Sequence, residues 1–184
     1  MQKVKEMLKP ERFNHSVGVM ETAEKLAVHY GVDAKKARIA GILHDCAKNI
    51  PKNEAVEICK REGVSLKDIC YVEKGLIHAY LGAHFAKTVF GVDDEEILDA
   101  IYYHTTGCPD MKPLTKIIYL ADMIEPGRKI AGIEPLREAA FKDIDDALMR
   151  AFDSTIRHVI NKGGIIDCDT ISARNFLVVH QKTL

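Results

Sequence analysis

Residues 41–48 read GILHDCAK and place a histidine and an aspartate side by side among apolar and small residues. The apolar residues around them recur at three- and four-residue steps. This pattern predicts a helix that is capped by Asp33, carries His44-Asp45 in its middle and runs towards Pro51. A buried carboxylate without a partner has a large desolvation cost, which a bound cation removes. The pair alone is a weak signal, because two residues recur by chance and an internal hydrogen bond would also explain them.

The rest of the chain shows the same helical periodicity and no convincing two-residue alternation. Prolines and glycines punctuate the pattern, as at Pro10, which suits the first turn of a helix because its missing N–H costs nothing there. The predicted helices cover about residues 10–31, 33–51, 51–63, 76–90, 93–107, 113–126, 135–162 and 171–180. The sequence therefore predicts one all-α domain over residues 1–184, a helical bundle whose C-terminal helical part, residues 135–184, carries no site residues.

Composition and charge exclude several classes of protein. Of 184 residues, 47% are hydrophobic and 29% charged, as in an ordinary globular protein. The net charge is -1, so no basic field exists to hold a nucleic acid, and an anionic ligand needs local groups or a metal ion. The charged N-terminus and the lack of ~20 apolar residues in a row predict no signal peptide and no membrane partner. Five cysteines without a CxxC pair predict a cytoplasmic location.

Four more candidate ligands stand in motifs of their own, each on a different predicted helix or helix end. They are His15 in RFNHSVGV, His78 in IHAYLGA, His104 in YYHTTG and Asp122 in YLADMIEPGR. Imidazole nitrogens and carboxylate oxygens together bind Fe, Mn, Zn or Ni. The order His, His-Asp, His, His, Asp along the chain gives the pair at 44 and 45 the support that it lacks alone.

These five motifs resemble those of the HD-domain superfamily of metal-dependent phosphohydrolases. More narrowly, they resemble the YqeK-type bacterial hydrolases, which split diadenosine tetraphosphate symmetrically. The resemblance covers about residues 10–130. It implies an all-helical fold and a divalent metal, with iron favoured and Mn, Zn, Ni or Co as alternatives. The primary metal ligands that it implies are His15, His44, Asp45 and Asp122.

By the same resemblance, His78 and His104 lie across the site from the primary ligands. In related HD enzymes, equivalent histidines bind a second metal ion, which the HD aspartate bridges. The alternative is that His78 and His104 hold phosphate oxygens directly, so one ion and two ions both stay open. On either interpretation the resemblance gives Asp45, His78 and His104 catalytic roles, and it places the two histidines against the substrate.

Four other side chains are candidates to bind substrate phosphates. Lys48 shares the predicted helical face of the His-Asp pair, with a surface lysine near a helix C-terminus as the alternative. Arg128 follows a helix-breaking Pro-Gly and has the fork geometry that suits phosphate, with a solvated loop arginine as the alternative. Arg12 precedes the first motif histidine by three residues, and Thr105 offers a hydroxyl beside the last one.

The residue chemistry fits hydrolysis of a phosphoric anhydride. Such a bond resists hydroxide because of its negative charge, and a bound metal supplies hydroxide near neutral pH and screens that charge. The leading hypothesis is symmetrical hydrolysis of diadenosine tetraphosphate to two ADP, so the expected partner is a nucleotide substrate or the ADP product. Alternatives are another HD-type nucleotidase or phosphodiesterase, a non-catalytic nucleotide sensor, and di-iron oxygenation.

The remaining polar features have simpler explanations. His29, His158 and His180 lack such motifs and are predicted at the surface, and His84 is about 240° around its helix from the motif histidine. The acidic run at 93–96 is predicted to begin a helix rather than to bind metal. The apolar stripe of the long C-terminal helix predicts core packing, with a homodimer face as the alternative.

Overall fold

The structure is a computed structural model that describes residues 1–129 and 132–182, and within these residues it contains helices and no β-strand. The all-α prediction is confirmed. The helices are α1 (Gln2–Met7), α2 (Pro10–Tyr30), α3 (Ala34–Leu43), α4 (Lys52–Glu62), α5 (Ile69–Val72), α6 (Ile77–Thr88), α7 (Glu95–Tyr102), α8 (Pro113–Ile124), α9 (Glu134–Ala140), α10 (Ile144–Asn161) and α11 (Cys168–Lys182), with a 3₁₀ turn at Lys74–Leu76. None of the described helices is long and apolar enough to cross a bilayer.

Helix α8 lies at the centre of the bundle and packs against α2, α3, α7 and α10. Its apolar residues are buried on almost every side, as is typical of a helix inside a core. Pro113 begins the helix and Pro126-Gly127 follows its end, as predicted. Because Asp122 lies in the last turn of α8, this core helix sets the position of one candidate ligand.

Helices α2 and α3 pack closely along each other. Gly41 makes this approach possible, because a Cβ atom at that position would lie 2.7 Å from the Cα atom of Met20. Helix α2 carries His15, and His44 directly follows α3. The close packing therefore brings these two rings together, with their centroids 5.3 Å apart.

The His44-Asp45 pair does not lie in the middle of a helix, so that part of the prediction is wrong. Helix α3 ends at Leu43, and residues 44–49 form consecutive turns whose hydrogen bonds join residues three apart, with N···O distances of 2.9 to 3.2 Å. Pro51 explains why no helix continues beyond these turns, since proline disfavours helical geometry in the residue before it and has no N–H for a helical bond. Turns of three residues rotate successive side chains by about 120° rather than 100°, which changes the directions of the two ligands.

The predicted helix over residues 135–162 is two helices, α9 and α10, so the prediction of one long helix is also wrong. Asp143 caps α10, and its side chain accepts hydrogen bonds from the backbone N–H groups of Asp145 and Asp146. An aspartate at such a position offers the backbone an alternative to helical continuation. Hydrophobic periodicity does not reveal the break between α9 and α10, because the apolar residues keep helical spacing on both sides of it.

The C-terminal helices share the hydrophobic core that surrounds α8. Leu148 and Phe152 of α10 are fully buried. The ring of Phe152 lies against Gly107, where a Cβ atom would stand 2.6 Å from it, and Gly107 has a positive φ of 68°. Since Gly107 ends the turn that carries His104, α10 supports one of the candidate site residues from outside the predicted motifs.

Candidate metal centre

Three buried histidines are oriented in the same way. In each ring Nδ1 donates a hydrogen bond of 2.7 Å to the carbonyl oxygen three residues earlier. The bonded pairs are His44 with Gly41, His78 with Gly75, and His104 with Ile101. Because a carbonyl oxygen only accepts, the proton is on Nδ1, and Nε2 of each ring carries a lone pair available to a metal.

The first half of the centre consists of His15, His44 and Asp122, whose ligand atoms all lie within 4.8 Å of one another. Nε2 of His15 is 2.9 Å from Oδ1 of Asp122, and Nε2 of His44 is 3.8 Å from the same oxygen. His44 is fully buried, and among the described residues its Nε2 has no hydrogen-bond partner. A buried nitrogen without a partner is costly, and a metal ion is the partner that fits its lone pair.

The second half of the centre consists of Asp45, His78 and His104. Nε2 of His78 is 3.1 Å from Oδ1 of Asp45 and 3.1 Å from Nε2 of His104. Two nitrogens bound at ~2.1 Å to one ion, at the angles of octahedral or tetrahedral sites, are separated by about 3.0–3.4 Å. The spacing of the two rings therefore suits a shared cation.

Both carboxylates of the centre are held in the ionised form. Burial by itself would raise the pKa of Asp45, but the charge of His44 outweighs it and holds that pKa well below its usual range. Burial acts in the same sense on Asp122, where the nearby His15 and the charges of His44 and Arg128 together outweigh it and the pKa is again lowered. The centre thus offers two anionic oxygen ligands, as a divalent cation requires.

The histidine pKa values reflect the same balance of burial and charge. Burial lowers the pKa of His78 to about 4, so this ring is neutral near pH 7 and can act as a ligand. Burial also opposes a charge on His44, but the carboxylates of Asp45 and Asp122 outweigh it and raise the pKa. A proton on His44 therefore neutralises part of the same negative charge that a bound metal ion would neutralise.

Three basic side chains surround the two carboxylates. Arg12 donates from Nη1 to Oδ2 of Asp45 at 2.9 Å. Arg128 donates from Nη2 to Oδ1 of Asp122 at 2.5 Å and from Nε to the Asp122 carbonyl oxygen at 2.8 Å. Nζ of Lys48 lies 3.9 Å from the other oxygen of Asp45. The structure therefore brings all three predicted phosphate-binding cations to the centre.

The centre is reached from a surface cavity of about 330 Å³. Lys9, Arg12 and Arg128 line it together with Glu11 and Glu125, and His15 is the candidate metal ligand in its lining. The three basic groups offer contacts to an anionic substrate beside the centre. Thr105, in contrast, does not line this entrance but a neighbouring cavity.

Glu125 is a site residue that the sequence reasoning missed. Its Oε1 accepts a hydrogen bond of 3.1 Å from Nδ1 of His15, and its Oε2 accepts one of 2.5 Å from the backbone N–H of Gly127. Gly18 leaves room for this carboxylate, since a Cβ atom there would lie 2.5 Å from Oε2. Its signal in the sequence is its position, three residues after Asp122 and therefore on a neighbouring part of the same helix surface.

Arg137, also not singled out from the sequence, fixes the backbone around Glu125. Its guanidinium donates to the carbonyl oxygens of Ile124, Glu125 and Arg128, at 2.9, 2.9 and 3.2 Å. These bonds tie α9 to the loop that follows α8. The loop geometry behind Glu125 and Arg128 thus depends on a residue that lies beyond the motifs.

The residues with simpler explanations lie where the sequence placed them. His29, His158 and His180 are exposed, and His84 is half-buried, 3.9 Å from Glu62. The acidic run at 93–96 begins α7, where Asp94 accepts a hydrogen bond of 3.0 Å from a backbone N–H two residues later.

Comparisons with known proteins agree with this geometry. A family model described as the HD domain matches residues 12–127. The chain belongs to the HD domain family. The predicted family is thereby confirmed, and the matched range contains His44 and Asp45. The family implies a divalent metal, and the donor set described above fits one.

Relatives within the HD family match the chain over nearly its whole length. A symmetrical bis(5'-nucleosyl)-tetraphosphatase of Halalkalibacterium halodurans is 42% identical, covering 99% of this chain and 97% of that protein. A protein of the same name from Bacillus subtilis is 42% identical, covering 95% and 94%. The crystal structure of a predicted HD superfamily hydrolase involved in NAD metabolism from Clostridium acetobutylicum is 48% identical, with a TM-score of 0.94 and coverage of 97% and 95%.

Proposed function

We propose that this HD-domain protein is a metal-dependent hydrolase that cleaves diadenosine tetraphosphate symmetrically into two ADP. The activity is the one predicted from the sequence, and the names of near-full-length relatives support it. The observation that carries the proposal is the complete donor set: four imidazoles and two carboxylates converge on one centre, with Arg12, Lys48 and Arg128 around it.

The proposed metal ligands are His15, His44, Asp45 and Asp122, and iron is the favoured ion, with Mn, Zn, Ni or Co as alternatives. A bound divalent metal would supply a nucleophilic hydroxide near neutral pH and stabilise negative charge on the phosphoryl group. Oδ2 of Asp45 lies 3.5 Å from Nε2 of His44 and Oδ1 lies 3.1 Å from Nε2 of His78, so Asp45 joins the two halves of the centre. We propose that His78 and His104 complete the second half, as ligands of a second ion or as donors to phosphate.

The basic residues suit a long polyphosphate. Arg12 and Arg128 line the surface entrance, whereas Nζ of Lys48 lies 3.0 Å from Nε2 of His78, in the second half of the centre. Symmetrical cleavage leaves two phosphates on each side of the broken bond, so negative charge must be neutralised on both sides. Cations next to both halves of the centre meet this requirement, and Thr105 adds a hydroxyl beside His104.

The test is an analysis of products. Purified protein loaded with iron or manganese is incubated with diadenosine tetraphosphate, and the nucleotides are separated by ion-exchange chromatography. We expect ADP as the sole nucleotide product, loss of turnover with a chelator, and recovery when the metal is returned. Formation of ATP and AMP in equal amounts would contradict symmetrical cleavage. A parallel panel of mononucleotides and cyclic nucleotides, compared by kcat/KM, tests the alternative HD activities.

The packing of the C-terminal helices indicates how much of the chain belongs to the HD domain. We propose that residues 1–184 form a single HD domain, because α10 shares its core with α8. The cytoplasmic location, the absence of nucleic-acid and membrane partners, and a homodimer remain predictions from the sequence.

A further inference from the structure

Two adjoining cavities extend along α2 from the metal centre. The inner one is the entrance of about 330 Å³ described above, and the outer one has a volume of about 440 Å³. Glu11, His15, Glu125 and Gly127 line both cavities, so the two are continuous, and we call them together the α2 groove. The outer cavity alone falls within the ~300–1,000 Å³ of ordinary small-molecule sites. Because His15 is a candidate metal ligand, the groove begins at the centre itself.

The charge of the lining changes along the α2 groove. The inner cavity contains the cations Lys9, Arg12 and Arg128, and none of these three lines the outer cavity. The lining of the outer cavity includes the carboxylates of Glu11 and Glu125 instead. An anionic chain is therefore attracted to the inner cavity and repelled from the outer one. This change of charge suits a ligand whose phosphates lie near the centre and whose next group is neutral.

The polar side chains of the outer cavity are free to bind such a neutral group. Glu11 and Asn14 are exposed and lie three residues apart, on one face of α2. Among the described residues, neither side chain has a hydrogen-bond or ion-pair partner. A carboxylate accepts hydrogen bonds at both oxygens, and an amide both donates and accepts. Val17 and Pro126 add apolar surface to the same cavity.

We infer that the α2 groove binds one of the two nucleosides of the substrate, with Glu11 accepting hydrogen bonds from the ribose hydroxyl groups. This inference rests on the proposed function. Symmetrical cleavage places two phosphates and a nucleoside on each side of the broken bond, so one nucleoside extends beyond the half of the centre that contains His15. The neighbouring hydroxyl groups of ribose match the two oxygens of a carboxylate. Asn14 suits the polar edge of a base, and Val17 and Pro126 suit its faces.

The substitution Glu11→Gln tests the inference. The probe is diadenosine tetraphosphate with a methylene group in place of the central bridging oxygen, which cannot be cleaved at that position. Glutamine keeps the size of the side chain but has only one accepting oxygen. We expect the affinity of the metal-loaded protein for this analogue to fall about tenfold or more, as for loss of a hydrogen bond to a charged group. Isothermal titration measures the affinity.

Methylenediphosphonate, the central unit of the analogue without its nucleosides, is the reference ligand. Its affinity for the Glu11→Gln variant should be unchanged or higher, because the substitution removes a negative charge near the phosphates. The charge alone therefore predicts a change opposite in sign to the loss expected for the dinucleoside analogue. A lower affinity for methylenediphosphonate would overturn the inference, since the substitution would then have disturbed the phosphate site.

A matched control is Glu54→Gln. Glu54 is exposed in the first turn of α4, as Glu11 is in the first turn of α2, and it lines neither cavity. The two substitutions remove the same charge from the same position of a helix. We expect the control to bind both ligands like the wild type. Equal affinity of Glu11→Gln and the wild type for the dinucleoside analogue would overturn the inference.

A second analogue, with 2',3'-dideoxyadenosine at both ends, tests the contact with ribose. It lacks the hydroxyl groups that Glu11 is inferred to bind, so Glu11→Gln should leave its affinity nearly unchanged while it weakens the parent analogue. The difference between the two losses measures the interaction of Glu11 with the hydroxyl groups. The same loss for both analogues would show that Glu11 does not contact the ribose and would overturn the inference.

The titrations use ligands that are not cleaved, so they are independent of turnover. If the wild type leaves diadenosine tetraphosphate intact while Glu11→Gln selectively weakens the analogue, the proposed function fails and the nucleoside site stands. If the wild type forms two ADP while Glu11→Gln binds the analogue normally, the function stands and the site fails.

Discussion

Glu125 and His15 form a hydrogen bond of 3.1 Å, from Nδ1 of the imidazole to the carboxylate, while the other nitrogen of the ring lies 2.9 Å from Asp122. The other three site histidines donate from Nδ1 to backbone carbonyl oxygens instead. A carboxylate partner orients a ligating imidazole and makes it a stronger metal ligand. Glu125 is therefore a positioning residue for the metal centre.

The substitution Glu125→Gln should weaken metal binding about 10- to 100-fold, the effect expected when the partner of a ligating histidine is changed. The amide keeps the size of the side chain, so the melting temperature of the metal-free protein should change little. Competition with a chromophoric chelator measures the affinity. Glu21→Gln, at an exposed position of the same helix as His15, is the control and should behave like the wild type. Equal affinities for the two variants would show that Glu125 has no such role.

Replacing His78 and His104 together by alanine should reduce the bound metal from two ions to one. The reason is the 3.1 Å separation of their Nε2 atoms, which suits a shared ion, while His15, His44 and Asp122 remain to bind the first. Mass spectrometry of the metal content of purified protein gives the count, with His84→Ala as the control. An unchanged count together with a raised KM would instead indicate that the two rings hold phosphate.

Arg128→Lys should raise KM for diadenosine tetraphosphate about tenfold and change kcat less. An ammonium group keeps the charge but loses the planar pair of donors that suits a phosphate. Steady-state kinetics measure the effect. Arg38→Lys serves as the control, because Arg38 pairs with Glu24 on the exposed surface of α3. A KM like that of the wild type would mean that Arg128 serves only to hold Asp122.

Gly41→Ala should destabilise the protein by about 1–3 kcal/mol and lower its activity. An added methyl group would meet the backbone of Met20 and push α2 from α3, and the Gly41 carbonyl oxygen holds His44. Gly75→Ala is the matched control for stability, since nothing lies within 4 Å of the position of its Cβ atom. Urea denaturation compares the two variants, and equal midpoints would contradict the close packing.

Phe152→Ala should cost about 3–5 kcal/mol of folding stability, because a fully buried ring leaves a cavity. It should also loosen the turn that ends at Gly107, so the activity at a temperature well below the melting point should fall as well. Phe141→Ala, at a position 39% exposed, should have a much smaller effect. A destabilised variant with normal activity would show that the turn does not depend on α10.

The sequence predicted which candidate ligands come together better than it predicted the local geometry that presents them. His15, His44, Asp45 and Asp122 stand in motifs whose order is visible in the chain, and the structure places all four in one centre. The turns at 44–49 escaped prediction because the apolar spacing continues through them, and only Pro51 hints at the change. Spacing along a helix cannot distinguish a helix that continues from one that tightens.

Residues that act through other residues were harder to find. Glu125 stood within a motif, but its role depends on the approach of α2, which no local pattern reveals. Arg137 lies beyond the motifs, and it acts by hydrogen bonds to the loop that follows α8. The break before α10 was missed for a different reason, since a capping aspartate leaves the apolar periodicity intact.

The contact between Gly107 and Phe152 also sets an order of assembly during synthesis. The turn that carries His104 packs against the ring of Phe152, and this residue is synthesised well after the last of the five motifs. A nascent chain that has already exposed every candidate ligand therefore still lacks the surface against which that turn closes. Unfinished chains, including those from stalled ribosomes, should consume no nucleotide.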